Sequence, residues 1–144
     1  MNLVNYLMYD GNCEQAIEFY QDKLDADVLF KSYFSEMPES DDPNCQIPPG
    51  AEDKIMHATL KVGESELMMC DDPSGQSTSF TGFAISISVK SASLATQYFD
   101  ALALDGEISM PLAETFWSEA FGMLTDKFGV SWMISYDGGK MSAN

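Results

Sequence analysis

TFWSEAFGMLTDKFGVSWMIS, residues 115–135, is the stretch on which the fold turns. It holds both tryptophans, three of the nine phenylalanines and a Phe-Gly pair used twice, at Phe121-Gly122 and Phe128-Gly129. Met123, Leu124 and Thr125 read as a short strand, Asp126-Lys127-Phe128-Gly129 as its turn, and residues 130–135 as the returning strand, a β-hairpin. Aromatics at this density supply core and are able to line a pocket. Trp117, Phe121 and Trp132 are the candidate pocket walls, since an indole stacks on a flat ligand and still offers its N–H.

Working outward, an earlier hairpin has the same form: residues 55–62 and 66–70 read as strands turned at Gly63-Glu64. Before it, residues 3–9 (LVNYLMY) read as a strand and Asp10-Gly11-Asn12 as a turn. Asn12 is placed to cap a helix over 13–24, in which Ala16, Ile17, Tyr20 and Leu24 form one apolar face. Residues 28–34 read as the next strand, and 35–52, with four of the six prolines, as a long excursion. Residues 71–81 read as loop. The pattern then restarts. Residues 83–89 (FAISISV) alternate as a half-buried strand does, Ser91 is placed to cap a helix over 92–104, and Gly106 ends it. Residues 107–110 begin a strand that Pro111 interrupts, and 138–144 read as a frayed tail.

Both halves therefore read strand, helix and three strands. Ala16 and Phe19-Tyr20 align with Ala95 and Tyr98-Phe99 at an offset of 79 residues; Gly63 aligns with Gly129 at an offset of 66. The difference is comparable to the Pro-rich excursion, so the first half is the second plus an insertion. The expectation is an α+β fold of two tandem βαβββ modules forming mixed sheets. It is one domain over 1–144, with repeat 1 at 1–72 (insertion 35–52) and repeat 2 at 82–137.

Composition narrows the function classes. Twenty-three acidic residues face seven basic ones, all lysine, for a formal charge of −16. No basic patch can be assembled, which argues against nucleic acid and anionic membrane as partners. No apolar run approaches the roughly 18 residues of a membrane span, and the first residues have neither the basic region nor the cleavage site of a signal peptide. Cys13, Cys45 and Cys70 lack metal-ligand spacing and read as reduced thiols of a cytoplasmic protein.

The words of the two halves resemble the vicinal oxygen chelate superfamily, which includes glyoxalase I, bleomycin and fosfomycin resistance proteins and extradiol dioxygenases. Within it they are most similar to the PhnB-like branch, often labelled demethylubiquinone methyltransferase-like. The matching words are Tyr9-Asp10-Gly11-Asn12-Cys13, Lys54-Ile55-Met56-His57-Ala58, Glu66-Leu67-Met68-Met69 with Asp71-Asp72, Met110-Pro111-Leu112 with Glu114-Thr115-Phe116-Trp117, and Trp132-Met133-Ile134. The resemblance implies curved modules facing each other, commonly as a homodimer, with a pocket inside each concave sheet. It also implies metal ligands on the first and last strands of each half. Those positions fall on Asn5, on Ala84, on Leu67, Met68 or Met69, and on Met133, none a strong ligand, so the usual metal site reads as erased. Asn5, Tyr6 and Met69 remain as pocket residues.

His57 is the only histidine. Alternation puts it with Thr59 and Lys61 on one strand face and Met56, Ala58 and Leu60 on the other. If the apolar set is core, His57 points away from it, either as a structural residue or as a general base near working pH. Glu114, beside Phe116-Trp117, is the candidate acid, since a carboxylate near aromatic surface can acquire a raised pKa; Glu119 is weaker. Asp126 reads as ordering its turn, and Asp71-Asp72 as starting a loop. Methionines near strand centres suit core or the lining of a loosely shaped apolar pocket. A Gly-rich phosphate loop, a dinucleotide fingerprint and a Ser-His-Asp set are absent from the sequence, so the methyltransferase label finds no support.

The reading is a small-molecule-binding protein without metal or other cofactor, its ligand partly apolar or aromatic. Two alternatives stand beside it: a divergent lyase- or dioxygenase-type enzyme using His57 and Glu114, and an acidic module that recruits a basic protein.

Overall fold

The computed structural model describes residues 1–38, 41–74 and 79–140. Its elements run β1 (Asn5–Tyr9), α1 (Cys13–Leu24), β2 (Asp27–Tyr33), β3 (Ile55–Val62), β4 (Ser65–Asp71), β5 (Ile85–Ser88), α2 (Ala92–Ala103), β6 (Glu107–Ala113), β7 (Ala120–Thr125) and β8 (Ser131–Tyr136). The four strands of each half form one sheet, in the order β1-β4-β3-β2 and β5-β8-β7-β6. The outer pairs β1/β4 and β5/β8 are parallel and the rest antiparallel. The two orders are the same, and each half is βαβββ, as the repeat in the sequence requires. The chain divides into two compact units, Met1–Thr78 and Ser79–Asn144.

In the first unit α1 covers one face of its sheet. Ala16, Ile17, Tyr20 and Leu24 meet Leu7, Tyr9, Ala58, Leu60, Leu67 and Met69, all buried. Each large side chain taken out of water contributes about 1.5–3 kcal/mol. The Tyr9 and Tyr20 hydroxyls, buried in this layer, meet at 2.9 Å. In the second unit α2 brings Ala95, Phe99 and Leu102 onto Leu124, Trp132 and Ile134. The hairpin turns align as expected: Gly63 joins β3 to β4 at φ +60, and Gly129 precedes β8 at φ +92. Both take a conformation open to glycine at little cost.

Four local expectations are corrected. Asn12 precedes α1 but makes no side-chain capping bond among the described residues, because its backbone (φ −116, ψ 23) lies outside the extended region a capping residue uses. Asp71 does the work from a distance: it belongs to β4, and its Oδ1 accepts from Cys13 N at 2.9 Å while Oδ2 accepts from Ile55 N at 2.9 Å. Pro111 does not interrupt β6, which continues to Ala113 with irregular register on either side of Met110. As an edge strand, β6 tolerates a missing N–H there. The end of the chain is tied as far as it is described, since Lys140 Nζ donates to Thr115 O at 2.9 Å and to Glu114 Oε2 at 2.7 Å; residues 141–144 lie outside the described residues. Ser91 caps α2 as expected, accepting from Leu94 N at 3.1 Å.

Candidate functional site

The face of the first sheet opposite α1 carries the chemistry. Register decides its membership: Tyr6 pairs with Met68, Met8 with Cys70, Thr59 with Met68, Phe30 with Thr59 and Ser32 with His57. Paired residues project to one side, so these side chains share the face that the helix leaves open. His57 sits at its centre. Its Nδ1 is 3.0 Å from Tyr6 Oη and its Nε2 is 3.2 Å from Thr59 Oγ1. The Tyr6 and Phe30 rings flank it, with centroids at 5.6 Å and 5.8 Å. Tyr6, Phe30 and Met8 are each about half exposed. Ser32 is 5% exposed, and its Oγ has no hydrogen-bond partner among the described residues.

Two groups on this face, Tyr6 and Cys70, hold their protons more tightly than usual. Partial burial, and then the neighbouring Cys70, push the Tyr6 phenol up to about 12. Burial likewise raises the Cys70 thiol, with Asp71 and Asp72 adding to it and the Tyr6 hydrogen bond opposing it. Cys13, buried on the opposite side of the sheet, is raised by burial first and Asp71 second, so neither thiol is an activated nucleophile.

One pH dependence follows. The folded state holds the Tyr6 proton more tightly than the unfolded chain, where tyrosine releases it near 10. The stability this contributes is full below pH 10 and is lost as pH rises toward about 12. Urea denaturation across that window should show the native chain losing stability more steeply than Tyr6→Phe; parallel losses would refute the assignment.

Of the residues singled out from sequence, the first unit brings Tyr6 and His57 into contact. Asn5 and Met69 go elsewhere: alternation along β1 puts Asn5 on the Leu7 and Tyr9 side, and Met69 pairs with Leu7 and is fully buried against the helix layer. The residue count along a strand, not the residue type, makes that difference. Phe30, Ser32, Thr59 and Cys70 were not singled out. Thr59 and His57 share a face by alternation alone, whereas Phe30 and Ser32 depend on the register irregularity after Val28.

In the second unit Trp117 and Phe121 meet edge to face at 5.5 Å, and Phe116, 88% exposed, stacks edge-on to Trp117 at 4.7 Å. Phe121 alternates with Gly122, whose missing side chain faces Phe99 of α2, so Phe121 belongs to the face away from the helix. Trp132 does not. It pairs with Leu124 and Ile85, is 1% exposed and donates its indole N–H to Asp126 Oδ2 at 2.8 Å. It is core, and its polar handle is used. Glu114 is an exposed carboxylate held below its usual range by the Lys140 hydrogen bond and charge, the opposite of the raised pKa a general acid at neutral pH needs.

Matched against known families, residues 2–134 fit the model described as Glyoxalase/Bleomycin resistance protein/Dioxygenase superfamily. The chain belongs to that superfamily. Protein YjdN of Escherichia coli K12 is 40% identical over 140 residues, covering 94% of this chain and 95% of its own length. Among solved structures, protein PA1353 from Pseudomonas aeruginosa superposes with a TM-score of 0.84 at 38% identity, covering 95% of this chain and 98% of that one. A Bacillus cereus PhnB protein, described as a putative 3-demethylubiquinone-9 3-methyltransferase, gives 0.77 at 29% identity, covering 94% and 99%.

Metal chemistry within this superfamily needs a set of protein ligands. Among the described residues no three His, Cys, Asp or Glu side chains cluster so as to hold a metal ion. On the open face His57 is already bonded through both ring nitrogens, Ser32 stands across from it, Phe30 and Met68 flank Thr59, and Cys70 is the one further ligand-type side chain among the residues placed there.

Proposed function

We propose that this superfamily member binds a small, partly apolar or aromatic molecule without a resident metal, and that the open face around His57 is part of the binding surface. The observation that carries the reading is the Tyr6–His57–Thr59 hydrogen-bonded chain, set between the exposed ring of Phe30 and the side chains of Met8 and Met68. Oriented polar groups between apolar walls are what a small-molecule site requires. In the second unit, Trp117 and Phe121 are proposed as apolar walls of that unit's own binding surface. The superfamily's members include small-molecule binders, and we extend to this chain the homodimer and the cytoplasmic setting expected from sequence. Among the described residues no helix is long and apolar enough to cross a membrane.

A second reading is a divergent enzyme in which Tyr6 and His57 pass a proton. The Tyr6–His57 hydrogen bond favours it; the depressed pKa of Glu114 removes its proposed acid.

The test is a thermal-shift screen of small aromatic compounds on protein whose metal content has been measured. Compounds that raise Tm are expected, and His57→Ala should abolish the shift. An absence of aromatic hits, or hits indifferent to His57→Ala, would sink the reading.

A further inference from the structure

We propose that the open face of the first unit selects an uncharged, flat aromatic molecule bearing a hydrogen-bond acceptor, such as an aryl ketone, with the hydroxyl of Ser32 and one hydroxyl of the His57 chain as its donors. The inference rests on the binding reading above and adds the chemistry of the ligand.

Proton bookkeeping carries the first step. An uncharged imidazole has one N–H and one bare nitrogen. Its N–H donates to one neighbouring hydroxyl, and its bare nitrogen accepts from the other, whichever tautomer is present. The hydroxyl that accepts from the ring keeps its own O–H uncommitted to His57. This is Thr59 when Tyr6 donates to Nδ1, and Tyr6 when Thr59 donates to Nε2. The chain therefore ends in a hydroxyl donor at Thr59 in one tautomer, and in the other at Tyr6, whose hydroxyl also bonds Cys70.

Ser32 carries the second step independently. It stands directly across from His57 in the register, on the same face, and its buried Oγ has no partner among the described residues. A stranded hydroxyl of this kind is costly, and an acceptor entering beside His57 would relieve it. Phe30, two residues away on the same strand face, is half exposed, with its ring beside that of His57.

Charge carries the third. With the His57 imidazole uncharged, its companions Tyr6, Phe30, Ser32, Thr59, Met68 and Cys70 bring neither a carboxylate to hold a cation nor a cationic group to hold an anion. Lys61 shares the face farther along β3, but it stands between Asp27 and Glu66 in the register, which offset it. The net charge of −16 adds a field that repels anions. An uncharged acceptor is what remains.

The test uses three probes of similar size: acetophenone (neutral acceptor), toluene (no acceptor) and benzoate (charged acceptor). Because His57 is the only histidine, the imidazole proton resonances report one residue. Acetophenone is expected to move them saturably, with toluene about tenfold weaker and benzoate weaker than acetophenone. Ser32→Ala should weaken acetophenone about tenfold, equivalent to 1.4 kcal/mol, and leave toluene unchanged. If Ser32→Ala does not fold by circular dichroism, Ser32→Cys, similar in shape with a weaker donor, replaces it. If no probe moves the His57 signals, the binding reading falls and this inference with it. If probes bind His57's surroundings but toluene equals acetophenone, benzoate binds best, or the Ser32 variant binds as the native chain does, the binding reading stands and the ligand assignment is overturned.

Discussion

Asp126→Ala should cost about 4 kcal/mol of stability, lowering Tm by roughly 10–15 °C for a chain of this size. One carboxylate gathers three donors of the second hairpin's return, beside the turn's own backbone bonds. Oδ1 accepts from Phe128 N at 2.9 Å and Val130 N at 3.1 Å, and Oδ2 accepts from Trp132 Nε1 at 2.8 Å. Asp126 is 3% exposed, Val130 is fully buried and Trp132 nearly so. Truncation removes charge-assisted bonds of about 1.5–3 kcal/mol each and strands buried donors that water cannot reach. Asp126→Asn separates the contributions. It retains an acceptor for the turn amides but places an amide N–H₂ against the indole N–H, so an intermediate loss is expected. Denaturant unfolding with tryptophan fluorescence reads both variants, and a loss below about 1 kcal/mol for the alanine would show that the turn holds by other means.

Gly122→Ala should cost about 2 kcal/mol, a large effect for a single added methyl. A Cβ built at Gly122 stands 2.6 Å from Phe99 Cε2, 3.0 Å from Leu112 Cα and 3.1 Å from Leu112 N. Phe99 is 3% exposed in the α2 layer, so its ring has little room to retreat, and the β6 backbone at Leu112 blocks the other side. Gly63→Ala makes the contrast. Nothing stands within 4 Å of a Cβ there, but φ is +60, so the cost is backbone strain of about 1 kcal/mol. Equal losses at the two glycines in thermal unfolding would contradict the packing argument.

The repeat was legible because its markers are local. A helix face at Ala16 and Tyr20, a second at Ala95 and Phe99, and left-handed glycines in two hairpins are written in short stretches of chain, and the sheet order repeats them. Pro111 was misread because proline's cost depends on whether a strand is central or at the edge, and a strand's neighbours are set by pairing that the local sequence does not encode. The helix at Cys13 begins where the sequence placed it, but its cap was misread for the same reason: Asp71, whose carboxylate accepts from Cys13 N, lies on β4, far along the chain.

The candidate site was legible at His57, whose company with Thr59 follows from alternation within one strand. Tyr6, Phe30 and Ser32 join it through parallel and irregular pairings, which require knowing which residue stands opposite which. Trp132 shows the opposite failure. Residue type marked it for a pocket, but strand parity sent it to the core, where Asp126 uses its indole N–H.

The central claim is that this face binds its ligand without a resident metal. Metal content per chain, measured on protein purified without a metal column or chelator, tests it most directly. The account expects well under one equivalent of iron, zinc, nickel or manganese, with aromatic binding undiminished after dialysis against chelator. Near one equivalent, restored on re-addition and required for binding, would contradict it.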